Sequence, residues 1–422
     1  MLKRELGLTG AVLTGLGSII GTGVFVSIGI ATGVAGPGVL IALVLAAIIA
    51  TCNGLSSAQL AASHPVSGGT YEYGYRYLNS YLGFTAGWTF LLAKSASAAT
   101  AALGFVGYLL NLFSVDSFLG QNLLGVGVVI GLTFVVLQGI RRSNWLNTFI
   151  LCLSLLGLGT FILSGILYGQ ANGWIGFTWG WDRLNLPDLL QATALMFVAY
   201  SGYARITVLG EEVKQPEQTI PKAILITLAI TLILYVAVAG VGIGTVGATA
   251  LGQAALDQAA PLQVIAASFP IPGTGLLVAL GAIAAMIGIL LNLILGLSRV
   301  ILSMARRGDV PKYLARLNPR QTTPVPAVLT VAVIIALLTL IGNVKTTWSF
   351  SAFSVLIYYA ITNLAALKLP PEQCFCPRWL AYLGLYGCLG LAFWVEPLVW
   401  LTGLSFIALG CLWHRWRLGQ RA

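Results

Sequence analysis

The chain has 422 residues, 58% hydrophobic and only 8% charged, with a mean hydropathy of +0.92 and a formal net charge of +10. That much apolar surface cannot be hidden inside a water-soluble fold, so a soluble globular protein is excluded. Continuous apolar runs of about 20 residues also exclude a β-barrel, whose strands would alternate, and leave an all-α integral membrane protein of about 12 transmembrane helices.

The predicted spans, in chain order, are 8-33, 37-62, 83-112, 122-140, 145-169, 188-212, 221-246, 274-304, 325-343, 347-367, 379-394 and 396-413. The first follows Met1-Leu-Lys-Arg-Glu5 without a small-residue cleavage site, so a retained helix is expected here and not a signal peptide. It contains Gly15-Leu-Gly-Ser-Ile-Ile-Gly-Thr-Gly-Val-Phe25, with glycines at 15, 17, 21 and 23. Glycines spaced like Gly17 and Gly21 serve close helix packing. They also permit a break, which at membrane depth is retained where protein or a water-filled cavity satisfies the freed backbone groups. A break near Ile20-Gly21-Thr22-Gly23 would aim unpaired N–H groups and a positive dipole end at a carboxylate.

After the second span, His64-Pro-Val-Ser-Gly-Gly-Thr-Tyr-Glu-Tyr-Gly-Tyr-Arg76 is expected to form a re-entrant or interfacial segment. The third span carries Lys94, an ionisable group at a depth where such residues face a cavity or a partner. Trp174, Trp179 and Trp181 precede the sixth span and suit the outer membrane interface. The sixth span itself, Phe197-Val-Ala-Tyr-Ser-Gly-Tyr-Ala-Arg205, places serine, glycine, tyrosines and an arginine where hydrocarbon is expected. Two interrupted spans, one opening spans one to five and the other spans six to ten, are the mark of an inverted-repeat secondary transporter. The predicted units are therefore residues 1-170, 171-368 and 369-422, the last holding two extra helices. Carbonyls freed near Ser18-Ile19 and Val198-Ala199 would accept from an ammonium group, so one site could hold both ends of a zwitterion.

Lys and Arg concentrate in alternate loops and both tails, while the opposite loops carry only Arg183 and Lys345 beside Asp116, Asp182 and Asp257. By the positive-inside rule both termini are expected in the cytoplasm, with the basic excess facing the bilayer's anionic lipid and not a nucleic acid. His64 and His414 fall in a loop and a tail, and no nucleophile and base, paired acids or nucleotide loop is present. An enzyme, a cofactor and a metal site are not expected; Cys374-Phe-Cys376 lacks a second ligand pair.

Gly17-Ser-Ile-Ile-Gly-Thr-Gly-Val-Phe25 resembles the first-helix motif of the amino acid-polyamine-organocation permeases. Phe197-Val-Ala-Tyr-Ser-Gly202, Gly210-Glu-Glu-Val-Lys-Gln-Pro216 and Ile220-Pro-Lys222 are similar to that family's sixth helix and the following loop. Ser298-Arg-Val-Ile-Leu-Ser-Met-Ala-Arg306 and Gly308-Asp-Val-Pro311 are similar to its eighth helix and the loop after it. The resemblance covers nearly the whole chain. It implies a five-plus-five inverted repeat with discontinuous helices 1 and 6, alternating access, and amino acids or related amines as substrates. It further implies that Ile20, Gly21, Thr22 and Gly23 hold the substrate carboxylate, and that Phe197, Val198, Ala199, Tyr200 and Gly202 form the opposite wall, with Phe197 or Tyr200 as an aromatic gate.

Two departures shape the expected chemistry. An acidic residue that some members use for cationic substrates is replaced by Ala204, followed by Arg205, and a fifth-helix lysine of some proton-coupled members aligns with Ser154. The intramembrane charge is thus positive, which suits neutral or acidic amino acids. Burial without a counter-charge works against an ammonium, so Lys94 is expected to cycle between charged and neutral forms and to supply proton coupling in a symporter. The alternative is that Lys94 snorkels to the inner interface. Arg205 and Glu212 are expected to form a gate or a structural ion pair. Sodium is the alternative coupling ion, with Asn292 and Ser298 as oxygen donors. An uncoupled exchanger and a non-transporting sensor are the alternative functions on the same fold.

Overall fold

The computed structural model describes residues 6–64, 68–115, 118–138, 144–174, 176, 184–208, 213–318 and 323–420. Asp116, Arg141, Arg142, Trp179, Trp181, Asp182, Arg183 and Glu212 lie outside the described residues. Among those described the chain is helical, and the β pairing is confined to an isolated bridge between Leu6 and Val213.

The helices are α1 (Leu8–Ile19), α2 (Ile28–Ala35), α3 (Val39–Ser63), α4 (Thr70–Tyr77), α5 (Ser80–Leu112), α6 (Phe118–Leu137), α7 (Asn144–Asn172), α8 (Leu186–Tyr200) and α9 (Ala204–Val208). They continue as α10 (Pro216–Val246), α11 (Ala248–Asp257), α12 (Pro261–Ala266), α13 (Thr274–Arg307), α14 (Val325–Ile341), α15 (Val344–Leu367), α16 (Arg378–Ala392) and α17 (Pro397–Gly419). Eight of the described segments are long and apolar enough to cross a membrane, and α1 and α14 are shorter apolar helices. With no water to satisfy an exposed amide in hydrocarbon, the chain closes its backbone bonds within each segment.

The centre of the bundle is built from α5 and α15, whose most apolar stretches are each 78% buried, against 17% for α17 and 22% for α6 at the periphery. Small residues permit this close approach. Helices α5 and α15 pack against each other, and Ala96, Ala98 and Ala99 on α5 and Ser351 and Ala352 on α15 are all fully enclosed. Ser97 and Ser351 are joined by a 2.7 Å hydrogen bond, and Thr100 and Thr347 by one of 2.8 Å. Helix α13 packs against both α5 and α7, completing the wall behind the centre.

The interfacial segment expected after the second span forms α4 in its described part. It anchors on two sides: Thr70 Oγ1 lies 2.7 Å from Thr362 Oγ1 of α15, while the Tyr71 and Tyr75 hydroxyls each donate to Asp309 Oδ2 at 2.7 Å. Arg307 pairs with Glu72 and lies over the Tyr75 ring, 4.0 Å from its centroid. Two features depart from the hydropathy reading. Residues 247–273, left without assigned structure, hold α11 and α12, which are too short to register as spans. His414, placed by sequence in a tail, is 1% exposed, stacks on Phe84, and has Nδ1 3.8 Å from Asp309. Helix α17 continues six residues beyond its predicted end because Arg417 donates to the carbonyls of Gly308 and Val310, which fixes the polar end of the helix on the protein.

Candidate functional site

The first span breaks where its glycines allow. Helix α1 stops at Ile19; Ile20 is extended (φ −73°, ψ 110°), and its N–H still bonds back to Leu16 O. The chain then resumes through a π-helical turn, Gly23–Ser27, before α2. Gly21 O accepts from both Val24 and Phe25 N–H at 3.1 Å, and the Ser27 hydroxyl donates to Thr22 O. π-turns inside α-helices frequently mark functional sites. Here the turn puts the amides of Gly21, Thr22 and Gly23 at the head of a new half-helix, where N–H groups lack helical acceptors.

The sixth span breaks differently. Helix α8, capped by Asn185 and with Pro187 in its first turn, runs to Tyr200, and Ser201–Tyr203 tighten into a 3₁₀ turn before α9. The two breaks cross at glycine. A Cβ on Gly202 would collide with the Ser18 carbonyl, and one on Gly23 would lie 2.7 Å from Ala199 Cβ. Tyr235, in the middle of α10, ties them together: its hydroxyl lies 3.1 Å from Ile19 O and 3.3 Å from Ala199 O, offering one proton to both.

Between the breaks is a cavity of ≈ 70 Å³. Helix one contributes Ser18, Ile19, Thr22 and Gly23; the sixth-span break contributes Val198, Ala199, Ser201 and Gly202. Lys94 and Ser97 come from α5, Ile289 and Leu293 from α13, and Trp348 from α15. Lys94 is the one ionisable group among these described lining residues. Its Nζ donates to Ser201 Oγ at 2.9 Å, so the side chain turns into the break and does not snorkel to the interface.

Of the residues singled out from sequence, Thr22, Gly23, Val198, Ala199, Gly202 and Lys94 meet at this cavity. Ile20 and Gly21 form the break behind it, with Gly21 packed on Ile289. Phe197 and Tyr200 are wholly buried and turned away from it. Phe197 meets Tyr359 edge-on at 5.6 Å, and Tyr200 meets Tyr235 at 5.3 Å. Arg205 is exposed on α9, and its expected partner Glu212 lies outside the described residues. Ser298 bonds to Leu295 O in its own helix, and Ser154 to Ile150 O and Gly281 O, so both hydroxyls are satisfied by packing.

The sequence reading missed Tyr235, Ser201, Ile289, Leu293 and Trp348. A lone tyrosine in the otherwise aliphatic run Leu232-Ile-Leu-Tyr-Val236 was a usable signal, because a phenol in hydrocarbon needs an acceptor. Ile289 and Leu293 carried none, since an aliphatic side chain in a span looks the same facing lipid or ligand. Replacing Tyr235 by Phe should leave two buried carbonyls without their donor and destabilise the protein by roughly 1–3 kcal/mol. The check is a lowered detergent unfolding midpoint; an unchanged midpoint would show that the phenol does not hold the breaks together.

A sequence profile for amino acid permeases matches residues 10–414. An uncharacterized transporter of Mycobacterium tuberculosis is 40% identical over 417 residues, covering 97% of this chain and 90% of the relative. The branched-chain amino acid permease BcaP of Bacillus subtilis is 28% identical over 428 residues, covering 96% and 90%. Cationic amino acid transporter 4 of Mus musculus is 28% identical over 388 residues, covering 87% of this chain and 60% of its own length.

Proposed function

The chain belongs to the amino acid permease family, and from that premise we propose that it moves small neutral amino acids by alternating access, coupled to protons through Lys94. It is an integral multi-pass membrane protein and an amino acid transporter, not an enzyme. The proposal concerns the substrate and the coupling. One observation carries it: a cavity at the crossing of two interrupted helices, lined by residues of both breaks, with Lys94 the one cation among its described lining residues.

In this reading the amides of Gly21, Thr22 and Gly23 receive the substrate carboxylate, and the carbonyls near Ile19, Val198 and Ala199 receive the ammonium. The side chain then faces Ile289, Leu293 and Trp348. Apolar walls suit an aliphatic side chain and give a second ammonium or guanidinium no partner, while Lys94 repels it. Small neutral amino acids are favoured over basic ones on that ground, although one relative is named for cationic amino acids; acidic amino acids are the second choice, because Lys94 could pair with a carboxylate. The five-plus-five inverted repeat, with units 1-170 and 171-368 and helices at 369-422, is the architecture proposed to rock around this site. A plasma-membrane location with both termini cytoplasmic is part of the same reading, supported by the charge of the loops.

The test is unfolding of the purified protein against neutral, acidic and basic amino acids and polyamines, at two pH values, with and without sodium. A ligand that binds only the native state must stabilise it, by about 2.7 kcal/mol at 100 times its Kd. Alanine, valine or another small neutral amino acid should raise the midpoint. A rise confined to arginine, lysine or polyamines would overturn the substrate assignment, and sodium dependence would overturn the proton assignment.

A further inference from the structure

Every polar group of Ser201 is engaged. Its N–H and its hydroxyl both point to Val198 O, the hydroxyl at 2.7 Å; its carbonyl accepts from Tyr359; and its Oγ accepts from Lys94 Nζ at 2.9 Å. Ser201 is 2% exposed and borders the cavity. A hydroxyl has one proton to give. An ammonium has three donors and no acceptor. While Lys94 is charged, Ser201 can only accept from it and must spend its own proton on Val198 O. A neutral amine has a lone pair, so Ser201 can reverse and donate to Lys94, which frees one of the two acceptor positions on Val198 O.

That carbonyl stands where a substrate ammonium docks in the reading above, on which this inference rests. The Lys94 charge and the substrate's ammonium therefore compete twice, for the same acceptor and through repulsion at short range. Among the described residues lining the cavity no carboxylate offsets this. Helices α1, α8 and α13 bring no charged side chain to the cavity, and the titratable groups behind it are phenols, Tyr235 on α10 and Tyr359 on α15.

We propose that Ser201 is a positioning residue that converts the protonation state of Lys94 into availability of the Val198 carbonyl, so that proton and amino acid occupy the site alternately. Transport is then proton/amino acid exchange, opposite in sign to the symport expected from the sequence. Each proton leaves Lys94 as a zwitterion enters and is released to the side the cavity faces. The zwitterion carries no net charge, so a full cycle moves one positive charge.

The experiment uses the full-length protein with L-alanine and L-valine as probes. Binding should release a proton into weakly buffered solution containing an indicator dye. The apparent Kd should fall about tenfold per pH unit as pH rises, until Lys94 is neutral, because one proton is lost per ligand bound. Proteoliposomes acidic inside should accumulate the probe, and those alkaline inside should not. Ser201→Ala should flatten the pH dependence of Kd to less than about threefold per unit, and Ser201→Thr, which keeps the hydroxyl, should restore it. Proton uptake on binding or accumulation in alkaline vesicles would overturn the exchange mechanism, and an unaltered pH dependence in Ser201→Ala would overturn the positioning role of Ser201, each while leaving the amino acid site standing. Absence of binding by either probe at every pH would overturn the site reading and the inference with it.

Discussion

Reconstituted Lys94→Ala protein is expected to exchange internal for external amino acid yet fail to accumulate it under a pH gradient of either sign. Lys94 is the one ionisable group among the described residues lining the cavity, and its Nζ holds Ser201 of the sixth-span break at 2.9 Å. If protonation acts through that contact, its removal erases the linkage between proton and substrate. Coupling between two bound species is typically about 1–3 kcal/mol, or 5–150-fold, so pH-driven accumulation should drop by about tenfold or more. Exchange needs only the backbone groups of the two breaks and should persist. Lys94→Gln, which keeps length and a donor without titrating, should behave alike and controls for the volume lost in the alanine variant. Full pH-driven uptake in both variants would remove Lys94 from the coupling mechanism. Counterflow and gradient-driven uptake measured on the same vesicles separate the two activities.

The second large effect is expected at Gly202. A methyl group there would meet the Ser18 carbonyl, with Ser18 C at 2.6 Å and Ile19 Cγ1 at 2.7 Å. Two of those three contacts are backbone, which cannot rotate away, so Gly202→Ala must push the two broken helices apart. Overpacking of this kind costs about 1–3 kcal/mol, and a cavity assembled from both helices should lose a comparable amount of binding energy, about 5–150-fold in Kd. Gly240→Ala is the control. It lies within α10 with nothing inside 4 Å of an added Cβ, and a helix-interior Gly→Ala change there should be neutral or stabilising by up to about 1 kcal/mol. The ligand-induced rise in unfolding midpoint should vanish for Gly202→Ala and survive in Gly240→Ala. An undiminished response in Gly202→Ala would mean that ligand does not bind where the two breaks cross.

Most of the architecture was legible because insertion into a bilayer is decided segment by segment. Hydropathy along the chain predicts the spans that α3, α5, α7, α10, α13 and α15 occupy, and the glycines at 21 and 23 mark the turn where α1 gives way to α2. The polar run after Ala199 likewise marks the 3₁₀ turn. The wall opposite the breaks was not legible. Ile289 and Leu293 are aliphatic side chains on a spanning helix, and such a side chain reads the same whether it meets lipid, protein or the cavity. Phe197 and Tyr200, expected at the substrate by motif position, lie outside the lining of the cavity and make ring contacts with Tyr359 and Tyr235, which come from distant helices.

By itself, the sequence determined that this chain lives in a membrane, where its helices lie and where two of them break, because each of these depends on the local exchange of water for hydrocarbon and on backbone freedom at glycine. Tertiary packing alone decided what the breaks bring together. Lys94 reaches Ser201 across 107 residues and Tyr235 reaches Ile19 across 216. In hydrocarbon a polar side chain takes whichever acceptor the fold brings within reach, and that choice is made in three dimensions.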